Sequence, residues 1–318
     1  MLIDMFPVEV GRRLVDVSAF RPMPGGAPAN VAVAARRLGA SSAFIGKVGD
    51  DAFGQLLIDT LRAEGVETRG MRVDPEVRTT LAFIAMPDAT SAEFVFYRNP
   101  GADMMLRADE LDEALLREAR VLHFGSISLI AEPSRSATLR AIELAREAGA
   151  LISFDVNYRP SLWPDPEAAV TIIRSALPLA HLIKVNEAEA LLLAGSDDPT
   201  TAGEALISGE TRACVITQGA EGSTFCVRQG ADRSVAFIPA FAVETVDAIG
   251  CGDAFMAGLL TSLTTGDEPG SPLERLNWLS LRHGVRYAAA VGALTALQRG
   301  VIPALPTAAQ VAAFLNHS

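Results

Sequence analysis

Asp247-Ala248-Ile249-Gly250-Cys251-Gly252-Asp253 sets an acid directly behind a glycine-lined turn, and the residues on either side say what that turn joins. Positions 235–246 before it are apolar and β-branched, while Ala254-Phe255-Met256-Ala257-Gly258-Leu259-Leu260 reads as an apolar helix, so the glycines should bridge a loop to a helix start. The first amides of a helix lack partners within it and attract anions. Glycine at 250 and 252 lets the backbone close on a phosphate, and Asp253 then stands within reach of a hydroxyl meeting that phosphate, as a general base would. The same residues also suit a plain glycine turn with an acidic cap on the helix behind it. A Walker loop is excluded, because Asp253-Ala254 stand where Lys and Ser or Thr are needed. A dinucleotide fingerprint is excluded too, since Phe255 occupies its third glycine and the motif lies late in the chain.

Outward from this turn, apolar β-like runs alternate with helical patterns. Strands are expected at 42–48, 121–125, 151–156, 181–185 and 214–217, with helices at 52–64, 133–148, 165–177 and 187–194 between them. Repeated βα units imply a mostly parallel sheet covered by helices on both faces, with ligands at the carboxyl ends of its strands. Between 66 and 97 the alternation breaks into consecutive strand candidates, 70–73, 79–86 and 93–97, with 87–91 as a hairpin turn. Together with 8–20 these predict a small sheet that serves as a lid, or else an antiparallel edge on the main sheet. After Asp253 the pattern is helical at 253–265, 272–297 and 307–315. One domain over 1–318 with an inserted lid, from about 8–23 and 66–100, is the simplest organisation.

Composition narrows the partners. The chain of 318 residues is 49% hydrophobic and 20% charged, enough for a full core. A net charge of -11 argues against nucleic acid or an anionic membrane as partner. Cys214, Cys226 and Cys251 are an odd number without CxxC spacing, which fits a reduced cytoplasm. Neither a signal peptide nor an apolar run of about 20 residues is visible. The four histidines have no metal-ligand spacing, and neither HExxH nor GxSxG occurs.

Other segments carry polar groups at positions where ligands bind. Pro24-Gly25-Gly26-Ala27-Pro28-Ala29-Asn30 opens a helix over 30–38, and Asn30 can both donate and accept to a polyol or simply cap that helix. Lys47 precedes Asp50 and Asp51, one of which should cap the next helix. Arg98 follows a strand, within reach of a sugar or an acid group. Asp155, Asn157 and Arg159 alternate just past another strand's end. Lys184-Val185-Asn186-Glu187-Ala188-Glu189 puts Asn186 and Glu189 on one side of a helix start, suited to a water-coated magnesium ion or to a solvated face. Thr217-Gln218-Gly219-Ala220-Glu221-Gly222 can admit nucleotide phosphates or simply turn into the strand 223–227.

Taken together, these segments resemble the ribokinase-like, or PfkB, sugar kinase family over essentially the whole chain. Its C-terminal signature D-T-x-G-A-G-D is matched by residues 247–253, and its N-terminal G-G-x-x-x-N block with later glycines by Gly25, Gly26, Asn30, Gly39 and Gly49. Met1-Leu2-Ile3-Asp4, Phe96-Tyr97-Arg98-Asn99-Pro100 and Ile302-Pro303-Ala304-Leu305-Pro306-Thr307 look most like fructokinases. The resemblance implies a three-layer αβα fold with a mostly parallel central sheet and a small β-sheet lid, and ATP-dependent transfer to the fructose 6-hydroxyl. Asp253 would be the base, with the amides of Gly250, Cys251 and Gly252 holding the developing charge. Asp4, Gly25, Gly26 and Asn30 would hold the sugar, with Arg98 closing from the lid and Asn157 or Arg159 from the main domain. Lys184, Asn186, Thr217, Gly219 and Gly222 would serve ATP, Glu189 magnesium through water, and Asp247 a monovalent cation such as potassium.

Against the family pattern, Ala248 replaces Thr, Cys251 replaces Ala, and Ala289 stands where many relatives carry Asn near the adenine. Relatives also carry a core strand ending in Gly-Glu just before the Met1-Leu2-Ile3-Asp4 match; the expectation is a start upstream, since a lost strand leaves unpaired backbone. The alternative activity is 2-keto-3-deoxygluconate phosphorylation, with Tyr97, Arg98 and Arg159 on a carboxylate. The alternative class is a sugar-kinase-like binding protein. A homodimer through the lid is compatible with its apolar strands.

Overall fold

Two faces of one sheet carry two separate apolar clusters, and that arrangement sets the architecture. In this computed structural model, which describes residues 1–9, 11–85, 87, 93–265 and 270–317, the chain runs β1 (Leu2–Pro7), β2 (Phe20–Gly25), α1 (Ala27–Arg37), β3 (Gly46–Gly49), α2 (Ala52–Ala63), β4 (Met71–Asp74), β5 (Leu81–Ala85) and β6 (Glu93–Tyr97). It continues through α3 (Glu113–Glu118), β7 (Val121–Gly125), α4 (Ser134–Glu147), β8 (Leu151–Asp155), α5 (Pro166–Ala176), β9 (Leu182–Asn186), α6 (Glu187–Ala194) and α7 (Pro199–Leu206). Then come β10 (Ala213–Thr217), β11 (Gly222–Gln229), β12 (Asp232–Pro239), α8 (Cys251–Thr265), α9 (Trp278–Thr295), α10 (Val301–Ala304) and α11 (Ala308–Leu315).

Strands β7 to β10 pair in parallel, and β11 and β12 extend the same sheet antiparallel, giving the order β12-β11-β10-β9-β8-β7. Because successive side chains on a strand point to opposite faces, Ala213 and Val215 join a core with α1, α8 and α9, while Cys214 and Ile216 join one with α4, α5 and α7. Helices thus cover both faces, giving three layers.

A second sheet of four strands has the order β2-β1-β5-β6, and β3 with β4 makes a two-stranded parallel pair. Here the structure departs from the sequence reading. Residues 11–19 are mostly exposed and form no strand, because their alternation has no core face to satisfy; the strands lie on either side, at Leu2–Pro7 and Phe20–Gly25. The strand expected at 70–73 pairs with β3 through the crossover helix α2, so it belongs to a βαβ unit and not to the small sheet. Of the strand expected over 42–48, only 46–48 lie in β3; 42–45 stay outside it. The long helical run over 272–297 narrows to α9, capped by Asn277. The hairpin turn expected at 87–91 lies, Pro87 apart, outside the described residues.

Lys47 on β3 is buried between Asp74 at 3.1 Å and Glu110 at 2.8 Å, and its ammonium is committed to those two acids. Removing the cation strands two carboxylates together. Lys47→Met is therefore expected to lose about 3 kcal/mol of stability in urea unfolding, as other broken buried pairs do.

Candidate active site

The turn 247–250 is pinned from both sides before it meets a helix. Asp247 is buried; its carboxylate accepts from the Ile249 amide at 3.0 Å and the Gly300 amide at 3.2 Å. Gly250 then takes φ +84°, where a side chain is strained and where a β-carbon would also strike Val301. Helix α8 starts at Cys251, so the amides at 252 and 253 belong to its first turn, where no earlier helical carbonyl accepts from them. The Cys251 amide leans back to the Ala248 carbonyl over 3.3 Å, a long bond. Burial, then the charges of Asp247 and Asp253, push its thiol up to about 11.

Asp253 is buried on this first turn and accepts from Asn30 Nδ2 at 2.8 Å. Burial pushes its carboxyl up to about 6, against the opposing pull of that hydrogen bond. Asn30 does not cap its helix; Gly26 holds that position, and Asn30 turns inward from the first turn of α1. Its Oδ1 is buried without a partner among the described residues, and Asn30 lines the cavity.

Asp4 on β1 faces the same space; burial and then the charge of Asp253 push it up to about 7. A β-carbon on Gly25 would run into the Asp4 carboxylate, so a larger residue there would push that side chain aside. Arg98 lines the cavity, but Asp103 holds its guanidinium at 2.7 and 2.8 Å. Asn157, at φ +40°, and the exposed Arg159 complete this side just past β8.

On the opposite side Lys184 lies buried against Asp155, and Asn186 caps α6 while accepting from the Glu189 amide at 2.9 Å. Glu189 is buried too, and its carboxylate accepts from the Tyr158 amide at 2.7 Å and the Asn186 amide at 2.9 Å. Burial, then Asp155, raises its pKa. In this structure Glu189 ties the loop bearing Asn157 to the start of α6. Thr217 lines the cavity; Gly219 and Gly222 do not, and form the turn from β10 into β11.

These groups surround one cavity of about 1480 Å³, which extends between β3 and β7. It brings Asp4, Asn30 and Asp253 together with Lys184 and Asn186, and leaves Gly25, Cys251 and Glu189 behind its lining. Sequence reasoning missed Asp103, the anchor of Arg98, although an acid five residues after an isolated arginine was a usable signal.

A carboxyl raised by burial behind a glycine turn and a helix start is an arrangement suited to a phosphotransferase acting on an alcohol. The profile described as pfkB family carbohydrate kinase matches residues 1–308, and the chain belongs to that family. It is 44% identical over 314 residues to fructokinase-1 of Zea mays, covering 98% of this chain and 94% of that one. The fructokinase of Xylella fastidiosa with bound ATP superposes with a TM-score of 0.89 at 31% identity, over 99% of this chain and 96% of the other. A double mutant of the Vibrio cholerae O395 fructokinase, bound to fructose, ADP and potassium ion, gives 0.87 at 32% identity, over 99% and 95%. The ribokinase-like three-layer fold is thereby established, and the protein is a carbohydrate kinase.

Proposed function

We propose that the enzyme transfers the γ-phosphoryl group of ATP to the 6-hydroxyl of D-fructose, with Asp253 as general base. The observation that carries this is the buried Asp253 on the first turn of α8, held by Asn30 and facing Asp4. Asp253 takes the proton of the attacking hydroxyl, and the first amides of α8 receive the charge spread over the transferred group. Asp4 and Asn30 Oδ1 accept from other hydroxyls and fix which one reaches Asp253. Fructose is favoured by the relatives' activity and by Arg98, whose charge Asp103 already neutralises, which disfavours the carboxylate of ketodeoxygluconate.

ATP lies on the side of Lys184, Asn186 and Thr217, with the turn bearing Gly219 and Gly222 beyond. No set of three His, Cys, Asp or Glu side chains suited to a metal occurs among the described residues. Magnesium would come with the nucleotide phosphates, and Glu189, whose oxygens accept from two amides, would hold it through water. It would supply charge neutralisation on the phosphates. Asp247, each of whose oxygens accepts from one amide, keeps lone pairs with which it would hold a potassium ion. The four-stranded sheet acts as the lid of the single kinase domain, and its outer Val95 and Tyr97, 43% and 66% exposed, suit a homodimer contact. No helix among the described residues is long and apolar enough to cross a membrane, and the unpaired cysteines favour the cytoplasm.

A coupled ADP-release assay over fructose, ribose, adenosine and ketodeoxygluconate tests the reading. Fructose is expected to give the highest kcat/KM; strong turnover with ketodeoxygluconate alone would overturn it.

A further inference from the structure

Asp155 ends β8 buried, at 3% exposure, and none of the roles above uses it. Its two oxygens accept from Lys184 Nζ at 3.0 and 2.9 Å, and both residues line the cavity. A β-carbon built on Gly252 would lie 3.3 Å from that nitrogen, so the pair sits directly against the glycine turn at the head of α8. An ammonium has three donors, and two of them face Asp155. We propose that Asp155 is a positioning residue for phosphoryl transfer, holding the Lys184 ammonium against the turn 250–252 with its third N–H free for an oxygen of the transferring group. This rests on the kinase reading with Lys184 on the nucleotide side.

The physical need for such an anchor is plain. A lysine stem is long and flexible, and burial alone opposes its charge; Asp155, then Glu189, outweigh that penalty and hold Lys184 above its usual value. Without Asp155 the ammonium is left with Glu189 and Asp253 as its remaining acidic neighbours. Moving onto Asp253 would take the cation from the anion site and the basicity from the base in one step. Around Asp253 the groups that set its charge are Asn30 from α1, Asp155 from β8, Lys184 from β9, Arg159 beyond β8, and Asp4 from β1.

The test is steady-state kinetics between pH 5 and 9 on the full chain with ATP and fructose. Asp155→Asn is expected to lower kcat about 100-fold, the scale of losing one donor to a developing charge, with the fructose KM within about threefold. Its acid limb moves to lower pH, because a negative neighbour of Asp253 is gone. Lys184→Met should lose as much, and the double variant Asp155→Asn/Lys184→Met no more than Lys184→Met alone, since Asp155 acts through the lysine. A normal kcat for Asp155→Asn, an unmoved acid limb, or losses that multiply in the double variant each overturn the proposal. Should Asp155→Asn fail to fold, the double variant, with both charges removed, still decides by comparison with Lys184→Met. If fructose is not turned over, the fructose reading fails by itself, and the same comparisons run on whichever sugar is.

Discussion

Asp253→Asn should leave a protein that binds ATP, phosphorylates fructose about 10³-fold more slowly or worse, and resists urea better than the parent at pH 8. The kinetic loss follows from removing the proton acceptor while keeping the shape of the site; general bases contribute about 10²–10⁴-fold. The gain in stability follows from linkage. Burial raises the folded-state value from 3.8 to about 6, so the folded protein holds a proton the unfolded chain has already released. Such a raised carboxyl contributes stability that is fully present below about pH 4 and is lost as pH rises through about 6. The rise from 3.8 to about 6 corresponds to a ceiling of about 3 kcal/mol, and the residual cost of burying an amide brings the expected gain to about 1–2 kcal/mol. Asn30 can keep its bond, donating to the amide oxygen of the variant. The comparison is urea unfolding at pH 8 and pH 4: the difference between variant and parent should shrink strongly at the lower pH. A variant no more stable than the parent at pH 8 would show that Asp253 is not strained by its burial, and near-normal turnover would remove it as the base.

How much of this was legible in the chain depends on where the physical constraint is local. Residues 187–194 read as a helix and form one, because Asn186 and Glu189 complete a capping box three residues apart. The strands at 151–156 and 214–217 read well because they are buried along nearly their whole length in the middle of the sheet, and 121–125 because its run is short and bounded, although it is an edge strand and only Phe124 and Gly125 are fully buried. The small sheet was legible in kind but not in membership. Nothing in residues 71–74 distinguishes a partner for β5 from a partner for β3, since that choice is made by the handed crossover through α2. The same limit governs the site. Asp253 was legible from its glycines, but the Asn30 bond to it spans 223 residues of sequence, and no periodicity reports it. Burial also reassigned groups that the sequence offered as free charges. Arg98, Lys47 and Lys184 are themselves buried and each sits against an acid, because an unpaired cation at those depths would be costly.

Asp4→Asn should raise the fructose KM about 10–100-fold and move the acid limb of kcat/KM to lower pH. The first effect is the loss of a charged acceptor for sugar hydroxyls, where a bond of about 1.5–3 kcal/mol is at stake. The second follows from its position opposite the base. Burial and then the charge of Asp253 push Asp4 up to about 7, while Asp253 stands at about 6, so the two carboxyls give up their protons as a coupled pair. In the parent enzyme without sugar, kcat/KM should therefore climb with pH through about 6 to 7, the range in which the second proton leaves and Asp253 becomes free to accept one. With Asn at position 4 the negative neighbour is gone, the pair becomes a single group, and the climb should finish at lower pH. Bound sugar donates to both carboxylates and favours their charged forms, so kcat should show its own limb below that of kcat/KM. A profile of kcat/KM from pH 5 to 9 for parent and variant checks both effects. An unchanged acid limb alongside the raised KM would mean that Asp4 binds sugar without facing the base. A shifted limb with a normal KM would place it beside Asp253 but outside the reach of the sugar.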